Sequence, residues 1–143
     1  MMKKPVLAAL LFATPALAQA PVILPPDRPM AIGAVEAVCT GVSLDARENP
    51  RWAAYPLKVE IAGRGGQYLG DVAVTLSQDG KILAALRCDG PWTLFRLPPG
   101  RYHVEARTEG KTASSDAYAP AQGQGRIILR FPDLGNVVTP PAP

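Results

Sequence analysis

The chain has 143 residues, of which 48% are hydrophobic and 19% charged. Its 15 basic and 12 acidic residues give a net charge of +3, but two of the lysines lie beside an apolar run at the N-terminus. Without these two the balance is 13 against 12, which gives no electrostatic case for binding nucleic acid. A chain of this size forms one domain around a single core.

The first residues have the pattern of a secretory signal peptide. Two lysines precede an apolar run at 6–17 that ends in small residues. We expect cleavage after Ala18 rather than after Ala20, because the second cut would lie directly before a proline. The run is shorter than the roughly 20 residues that span a bilayer. Residues 1–18 therefore predict export, and the mature protein is expected to be periplasmic or secreted and not membrane-spanning.

Proline-rich segments flank the expected domain. Four prolines between positions 21 and 29 remove backbone donors, so residues 19–30 are predicted to be an extended lead-in. Residues 134–143 have the same character and predict a flexible tail. Residues 31–133 are therefore expected to form the folded domain.

The two cysteines, Cys39 and Cys88, predict a disulfide in an exported chain. The bond would close a loop of about 50 residues, which in the chain-entropy picture stabilises the fold by roughly 4 kcal/mol. The alternative is a metal site formed by both cysteines and His103. Three ligands without a short paired motif are a weak signal, and an oxidising compartment removes thiols. We therefore predict neither a metal nor another cofactor.

Alternation of apolar and polar residues predicts strands in the domain. Segment 55–61 has four apolar residues on one face and two charged residues on the other, namely Tyr55, Leu57, Val59 and Ile61 against Lys58 and Glu60. Similar runs occupy 71–77, 81–88, 92–97, 101–108 and 126–131, with a weaker one at 112–118. Asp79-Gly80 predicts a hairpin turn, and residues 31–38 are ambiguous. This spacing predicts an all-β fold, an antiparallel β-sandwich of about seven strands.

The stretch "GPWTLFRLPPGRYHV", residues 90–104, resembles part of the carboxypeptidase regulatory-like domains. These domains have a β-sandwich of the transthyretin, or prealbumin, type. An aromatic residue after a turn glycine opens a strand, Leu-Pro-Pro-Gly makes a tight turn, and Tyr-x-Val starts the return. The upstream "GDVAVTLSQDGK" resembles the first hairpin of such domains. The resemblance implies a fold and no particular function, since these modules accompany many unrelated partners.

The same stretch is a chain reversal by its own chemistry, because Pro98 and Pro99 fix φ and Gly100 accepts a positive φ. The flanking strands are expected to be neighbours, with five large side chains on inward positions: Trp92, Leu94, Leu97, Tyr102 and Val104. His103 would then point outward beside Glu105, as a solvated residue rather than a general base.

Other groups of residues have simple structural interpretations. The glycine-rich segments 62–70 and 122–126 are predicted to be hairpin loops, because a phosphate cradle needs a helix after it and a strand follows each. Five arginines are interleaved with acidic residues and predict a mixed, solvated face; they are Arg96, Arg101, Arg107, Arg126 and Arg130.

The segment "TGVSLDARENPRWAAYP", residues 40–56, is not explained by the strand pattern, and we call it the strap. It contains Arg47, Arg51, Trp52 and Tyr55, and these residue types dominate binding energy at interfaces. The alternative is that the disulfide pins the strap across the sandwich and Trp52 covers a sheet end. If the strap binds a partner, Trp52→Ala should weaken capture more than it lowers the melting temperature, and Trp92→Ala should do the reverse.

The expected function is that of a non-catalytic, periplasmic module that binds an unidentified protein or envelope component. One alternative is a carbohydrate-binding module, which needs Trp52, Tyr55 or Tyr68 exposed as a stacking platform. A second is a small hydrolase, which needs a cleft with converging polar side chains. The transthyretin-like hydrolase of a purine breakdown product depends on several histidines and a C-terminal Tyr-Arg-Gly-Ser motif. This chain has one histidine and ends in "TPPAP", so the resemblance does not imply that activity.

Overall fold

The structure is a computed structural model that describes residues 2–5, 20–66 and 69–134. The predicted signal peptide and the predicted C-terminal tail lie almost entirely outside these residues. Two short helical segments and ten strands are formed by the described chain. They are β1 (Val22–Ile23), β2 (Met30–Ile32), β3 (Val35–Thr40), α1 (Leu44–Glu48), a 3₁₀ turn (Pro50–Ala54), β4 (Leu57–Gly63), β5 (Val72–Gln78), β6 (Lys81–Cys88), β7 (Trp92–Arg96), β8 (Gly100–Thr108), β9 (Lys111–Ala119) and β10 (Gly125–Phe131).

The strands form two five-stranded sheets that pack as a sandwich, so the predicted all-β sandwich is confirmed. The first sheet has the order β1-β6-β5-β8-β9, and the second has the order β10-β4-β7-β3-β2. Most neighbours are antiparallel, but β1 runs parallel to β6 and β10 runs parallel to β4. The sheets are mixed because β1 and β10 reach their partners through crossovers rather than through tight turns.

The N-terminal part of the domain contributes strands that the alternation did not reveal. Residues 31–38, ambiguous in the sequence, lie within the β2–β3 hairpin. The described part of the predicted lead-in, residues 20–30, also belongs to the sandwich. Val22 pairs with Leu86, and Leu24 is 2% exposed within the core. β1 and β2 have only two and three residues, and strands this short do not show a recognisable alternation of apolar and polar residues.

The main core lies between the sheets, and the predicted disulfide crosses it. Cys39 on β3 and Cys88 on β6 are bonded, with their Cα atoms 5.5 Å apart, so the bond joins the second sheet to the first. Both cysteines are buried. With the two sulfurs bonded to each other, the alternative metal site with His103 is not formed.

The Leu-Pro-Pro-Gly segment carries the chain from one sheet to the other. The sequence predicted that the strands on either side of this segment are neighbours. They are not, because β7 lies in the second sheet and β8 in the first. Leu97, Tyr102 and Val104 face the main core, whereas Trp92 and Leu94 pack on the outer face of the second sheet. The expectation of one shared interior was wrong, because a proline turn reverses the chain without determining which sheet receives the returning strand.

Turn chemistry was informative for one loop and not for two others. Asp79 and Gly80 have φ of 52° and 76° and close the β5–β6 hairpin as a two-residue turn, as predicted. A glycine suits the second of these positions because it accepts positive φ without a steric penalty. The segments 62–70 and 122–126 are crossovers rather than hairpin loops, since each joins strands of different sheets.

Tyr102 links the proline turn to a pH dependence of stability. Its hydroxyl donates to Pro98 O at 2.6 Å, and burial raises its pKa above the ordinary value of 10.0. The folded state therefore favours the neutral phenol, and the unfolded chain ionises first as the pH rises. This contribution to stability is complete below about pH 10 and is lost as the pH rises through the higher pKa of the folded state.

We expect the free energy of unfolding to fall less steeply above about pH 10 in Tyr102→Phe than in the natural protein. Urea titrations at pH 8 to 11 measure the difference. Tyr118→Phe is the matched control, because Tyr118 is 63% exposed and should leave the alkaline slope unchanged. Identical slopes for Tyr102→Phe and the natural protein would contradict the assignment.

Candidate functional site

The strap is an ordered segment because its sequence caps two short helical turns. The Ser43 side chain accepts from Ala46 N at 3.0 Å and begins α1. The Asn49 side chain accepts from Arg51 N at 3.1 Å and begins the 3₁₀ turn, whose first residue is Pro50. Both caps satisfy backbone donors that a helix start leaves unpaired. The caps thus define the local conformation of the strap where it packs on the sheet.

The aromatic residues of the strap form a second core on the outer face of the second sheet. This cluster consists of Val38, Trp52, Tyr55, Trp92 and Leu94. Trp52 and Tyr55 are 4% and 3% exposed, and their rings meet edge to face with centroids 6.0 Å apart. Trp52 Nε1 donates to Ala46 O at 2.8 Å, which satisfies the polar atom of the buried indole. The strap covers this face as packing, in agreement with the second interpretation of its sequence.

Two further contacts hold the strap in place. Gln124 Nε2 donates to Trp52 O and Tyr55 O at 2.8 and 3.0 Å, which ties the strap to the β9–β10 crossover. Gly41 lies directly on Trp92, since a Cβ at Gly41 would come within 2.8 Å of the indole. Its φ of 94° also favours glycine. The start of the strap therefore admits no side chain at position 41.

Each aromatic ring of this second core carries a cation. Lys58 Nζ lies 3.4 Å from the centroid of Trp92. The guanidinium carbons of Arg51 and Arg96 lie 4.7 Å from the ring centroids of Trp52 and Tyr55, respectively. Such contacts contribute about 0.5–2 kcal/mol, and most where the cation is desolvated. The rings are therefore covered on the solvent side by positive charge.

Buried acidic charge balances these cations at the sheet. Glu60 is 2% exposed and accepts from Arg126 Nε at 2.9 Å, with Lys58 Nζ 3.2 Å from its other oxygen. The sequence placed Lys58 and Glu60 on a solvated face, and that expectation was wrong because the strap and its neighbours enclose it. At the other end, Arg96 donates to Glu36 at 2.7 Å, and this hydrogen bond chiefly raises the pKa of Arg96.

The candidate interaction residues divide into buried rings and exposed guanidiniums. Trp52 and Tyr55 are buried, whereas Arg47 and Arg51 lie at the surface, and Arg47 Nε donates to Gly41 O at 2.7 Å. A carbohydrate platform made by Trp52 or Tyr55 would need an open ring face, and both rings are buried. Tyr68, the third candidate, lies outside the described residues. The contact surface that the strap offers is therefore aliphatic and of mixed charge rather than aromatic, since Asp45 and Glu48 are exposed as well.

Two surface residues of the strap were missed in the sequence. Val42 and Leu44 are 65% and 66% exposed, and they stand at the start of α1 beside the surface arginines. Both are apolar residues in a polar connecting segment that shows no strand alternation. That feature of the sequence could have identified them as surface residues. Large exposed side chains of this kind, placed together, are typical of contact surfaces.

A separate polar cleft lies on the outer face of the first sheet. It has a volume of about 210 Å³ and is lined by Ser77, Gln78, Asp79, Gly80, Arg101, Tyr102, His103 and Asp116. His103 Nδ1 lies 3.0 Å from Asp116 Oδ1, and the histidine side chain is 46% exposed. The expected neighbour, Glu105, is not the partner. The β8–β9 hairpin turns at Glu109 and Gly110, and pairing the two strands residue by residue from that turn places His103 opposite Asp116. The sequence therefore contained the information needed to predict this pair.

The five arginines do not share one face. Arg96 and Arg126 lie on the second sheet, and Arg101 and Arg107 lie on the first. Among the described residues, no group of three or more histidine, cysteine or acidic side chains is placed to hold a metal ion. Within the same residues, no helix is long and apolar enough to cross a membrane.

The fold and site define a β-sandwich with a disulfide between its sheets and a capped strap across one outer face. No protein-family model matches the chain, and no curated protein matches it either.

Proposed function

We propose that this protein is an exported, periplasmic binding module that contacts a protein partner through the strap. Val42 and Leu44 carry the proposal, because they are two large apolar side chains exposed on a surface that the second core holds in place. A contact surface that is already ordered loses little conformational entropy when it binds. The carboxypeptidase regulatory-like resemblance is compatible with such an accessory role and remains part of the proposal.

The surface specifies the chemistry of the partner. Leu44 offers apolar area, and the strap adds two exposed arginines and two exposed acidic residues, namely Arg47, Arg51, Asp45 and Glu48. Arginine at the edge of an apolar contact favours a partner that presents carboxylates around an apolar patch. The proposed partner is therefore a protein of the envelope with an apolar patch and a rim of mixed charge that includes a carboxylate opposite Arg51, and the binding itself requires no chemical step.

The test is crosslinking in cells from a photoreactive residue at position 44, followed by mass spectrometry. We expect one dominant adduct, which Arg51→Glu should reduce about tenfold or more, because reversing the charge of an interface anchor costs about 2 kcal/mol or more. Arg51 is exposed and its ring contact is with Trp52, so its replacement should lower the free energy of unfolding by about 1 kcal/mol or less, which leaves the protein folded.

The matched controls lie on the first sheet. A photoreactive residue at Tyr118, which is 63% exposed, should not give the same adduct, and Arg107→Glu should not reduce capture at position 44. Equal capture from both faces, or an adduct insensitive to Arg51→Glu, would contradict binding through the strap.

A further inference from the structure

Three side chains with complementary chemistry stand in one row across the first sheet. The strand register places Ser77 opposite His103 and His103 opposite Asp116, on β5, β8 and β9. Val74, Leu76 and Val104 face the core, so the intervening residues of these strands face outward. All three side chains of the row line the cleft of about 210 Å³ described above.

The contact between His103 and Asp116 orients the imidazole. Because Nδ1 lies 3.0 Å from a carboxylate oxygen, it carries the proton, and Nε2 is left as the acceptor. The two ring nitrogens point in nearly opposite directions, so Nε2 is turned away from β9. Directly opposite residues of antiparallel strands have Cβ atoms about 4.5–5.5 Å apart, so the Ser77 and His103 side chains are neighbours on this face. No hydrogen bond joins these two side chains in the structure, and catalytic hydrogen bonds are often long before substrate binds.

The surroundings of the row supply two further requirements of acyl transfer. Arg101 lies two residues before His103 on the same strand and lines the same cleft, where its guanidinium can stabilise a developing oxyanion. Ile82 lies opposite Ser77 on the other side of β5 and is 64% exposed, so it offers an apolar surface for an acyl chain.

We propose that Ser77, His103 and Asp116 form a serine hydrolase site for carboxylic esters with short apolar acyl groups. Ser77 Oγ bonds to the ester carbonyl carbon while its proton passes to His103 Nε2, and Arg101 faces the resulting oxyanion. Collapse breaks the ester C–O bond, and the departing alkoxide takes the proton from His103. Water then attacks the acyl-Ser77 ester with His103 as base, which releases the carboxylic acid and restores the serine.

This site is independent of the strap, which lies on the opposite sheet, so the two proposals can fail separately. The polar cleft is the feature that a hydrolase of this size would require, and the single histidine of the chain lies in it. Asp116 acts on the substrate only through His103 and is a positioning residue.

The purified full-length protein is tested with p-nitrophenyl butyrate and, separately, with an alkyl fluorophosphonate. We expect ester hydrolysis to fall to the solution background in Ser77→Ala and about 100-fold in His103→Gln, because general base catalysis contributes at least that factor. The fluorophosphonate should add one phosphonyl group, located on Ser77 by peptide mapping. Asp116→Asn should slow the phosphonylation of Ser77 without changing the melting temperature, which a merely structural surface residue would not do.

Ser114→Ala is the matched control, because Ser114 lies on the same outer face opposite Glu105 and has no histidine beside it. It should keep the full rate and the full label. Hydrolysis that depends on His103 but not on Ser77 would indicate direct attack by a surface imidazole and overturn the proposal. An unlabelled Ser77 in the correctly folded natural protein would overturn it equally.

Discussion

Trp52→Ala should lower the free energy of unfolding by about 3–5 kcal/mol, as much as Trp92→Ala does. Trp52 is 4% exposed, packs edge to face on Tyr55, and donates to the Ala46 carbonyl. Its removal would leave a cavity under the strap and would remove the shorter of the two hydrogen bonds that the Ala46 carbonyl accepts, the other coming from Asn49 N. Urea unfolding followed by far-UV circular dichroism measures the loss directly. The sequence left open whether this ring binds a partner or covers a sheet end, and its burial agrees with the second interpretation.

Two variants separate packing from binding at the strap. Trp52→Phe keeps most of the apolar area and loses the indole hydrogen bond. It should lower the free energy of unfolding by about 1 kcal/mol relative to the natural protein, which is less than the loss expected for Trp52→Ala. Arg51→Ala removes an exposed cation that lies over the Trp52 ring and should lower the free energy of unfolding by about 0.5–1 kcal/mol. A Trp52→Ala protein of natural stability would show that the ring is not core packing.

The sequence predicted the elements better than it predicted their arrangement. Alternation located the strands from β4 to β10, because each is five or more residues long. The Asp79-Gly80 turn was predicted from the conformational preferences of these two residues, and the disulfide was predicted from the expected export of a chain with two cysteines. The assignment of strands to sheets did not follow, since Leu-Pro-Pro-Gly and the two glycine-rich segments look like hairpin loops whether they stay in one sheet or cross to the other.

The burial of Lys58 and Glu60 was unpredictable for the same reason. A half-buried strand shows charged residues on its outer face, and β4 does so. What covers that face is a segment without periodicity, whose docking depends on non-local contacts with β7 and with Gln124. Likewise, the pairing of His103 with Asp116 could have been predicted from the β8–β9 hairpin alone. The position of Ser77 beside His103 could not, because it depends on the pairing of β5 with β8, which are not consecutive strands.

Replacing both cysteines, Cys39→Ala with Cys88→Ala, should cost about 4 kcal/mol of stability. The bond spans 49 residues and joins β3 to β6 across the main core, so its loss frees the unfolded chain and leaves the sheets to be held by packing alone. Both residues are buried, so the small side chains of the variant also leave some unfilled volume. Urea titrations of the natural and doubly substituted proteins give the difference.

The cellular form of the same bond is tested on protein taken from the periplasm. We expect no free thiol under denaturing conditions, and after reduction a mass higher by two hydrogen atoms; the same spectrum reports whether the mature chain begins at Gln19. A count of two free thiols would show that the bond does not form in the cell. If the double variant instead loses less than about 1 kcal/mol, the entropy of the closed loop is not what stabilises the fold, and the apolar packing between the two sheets holds them together without the disulfide.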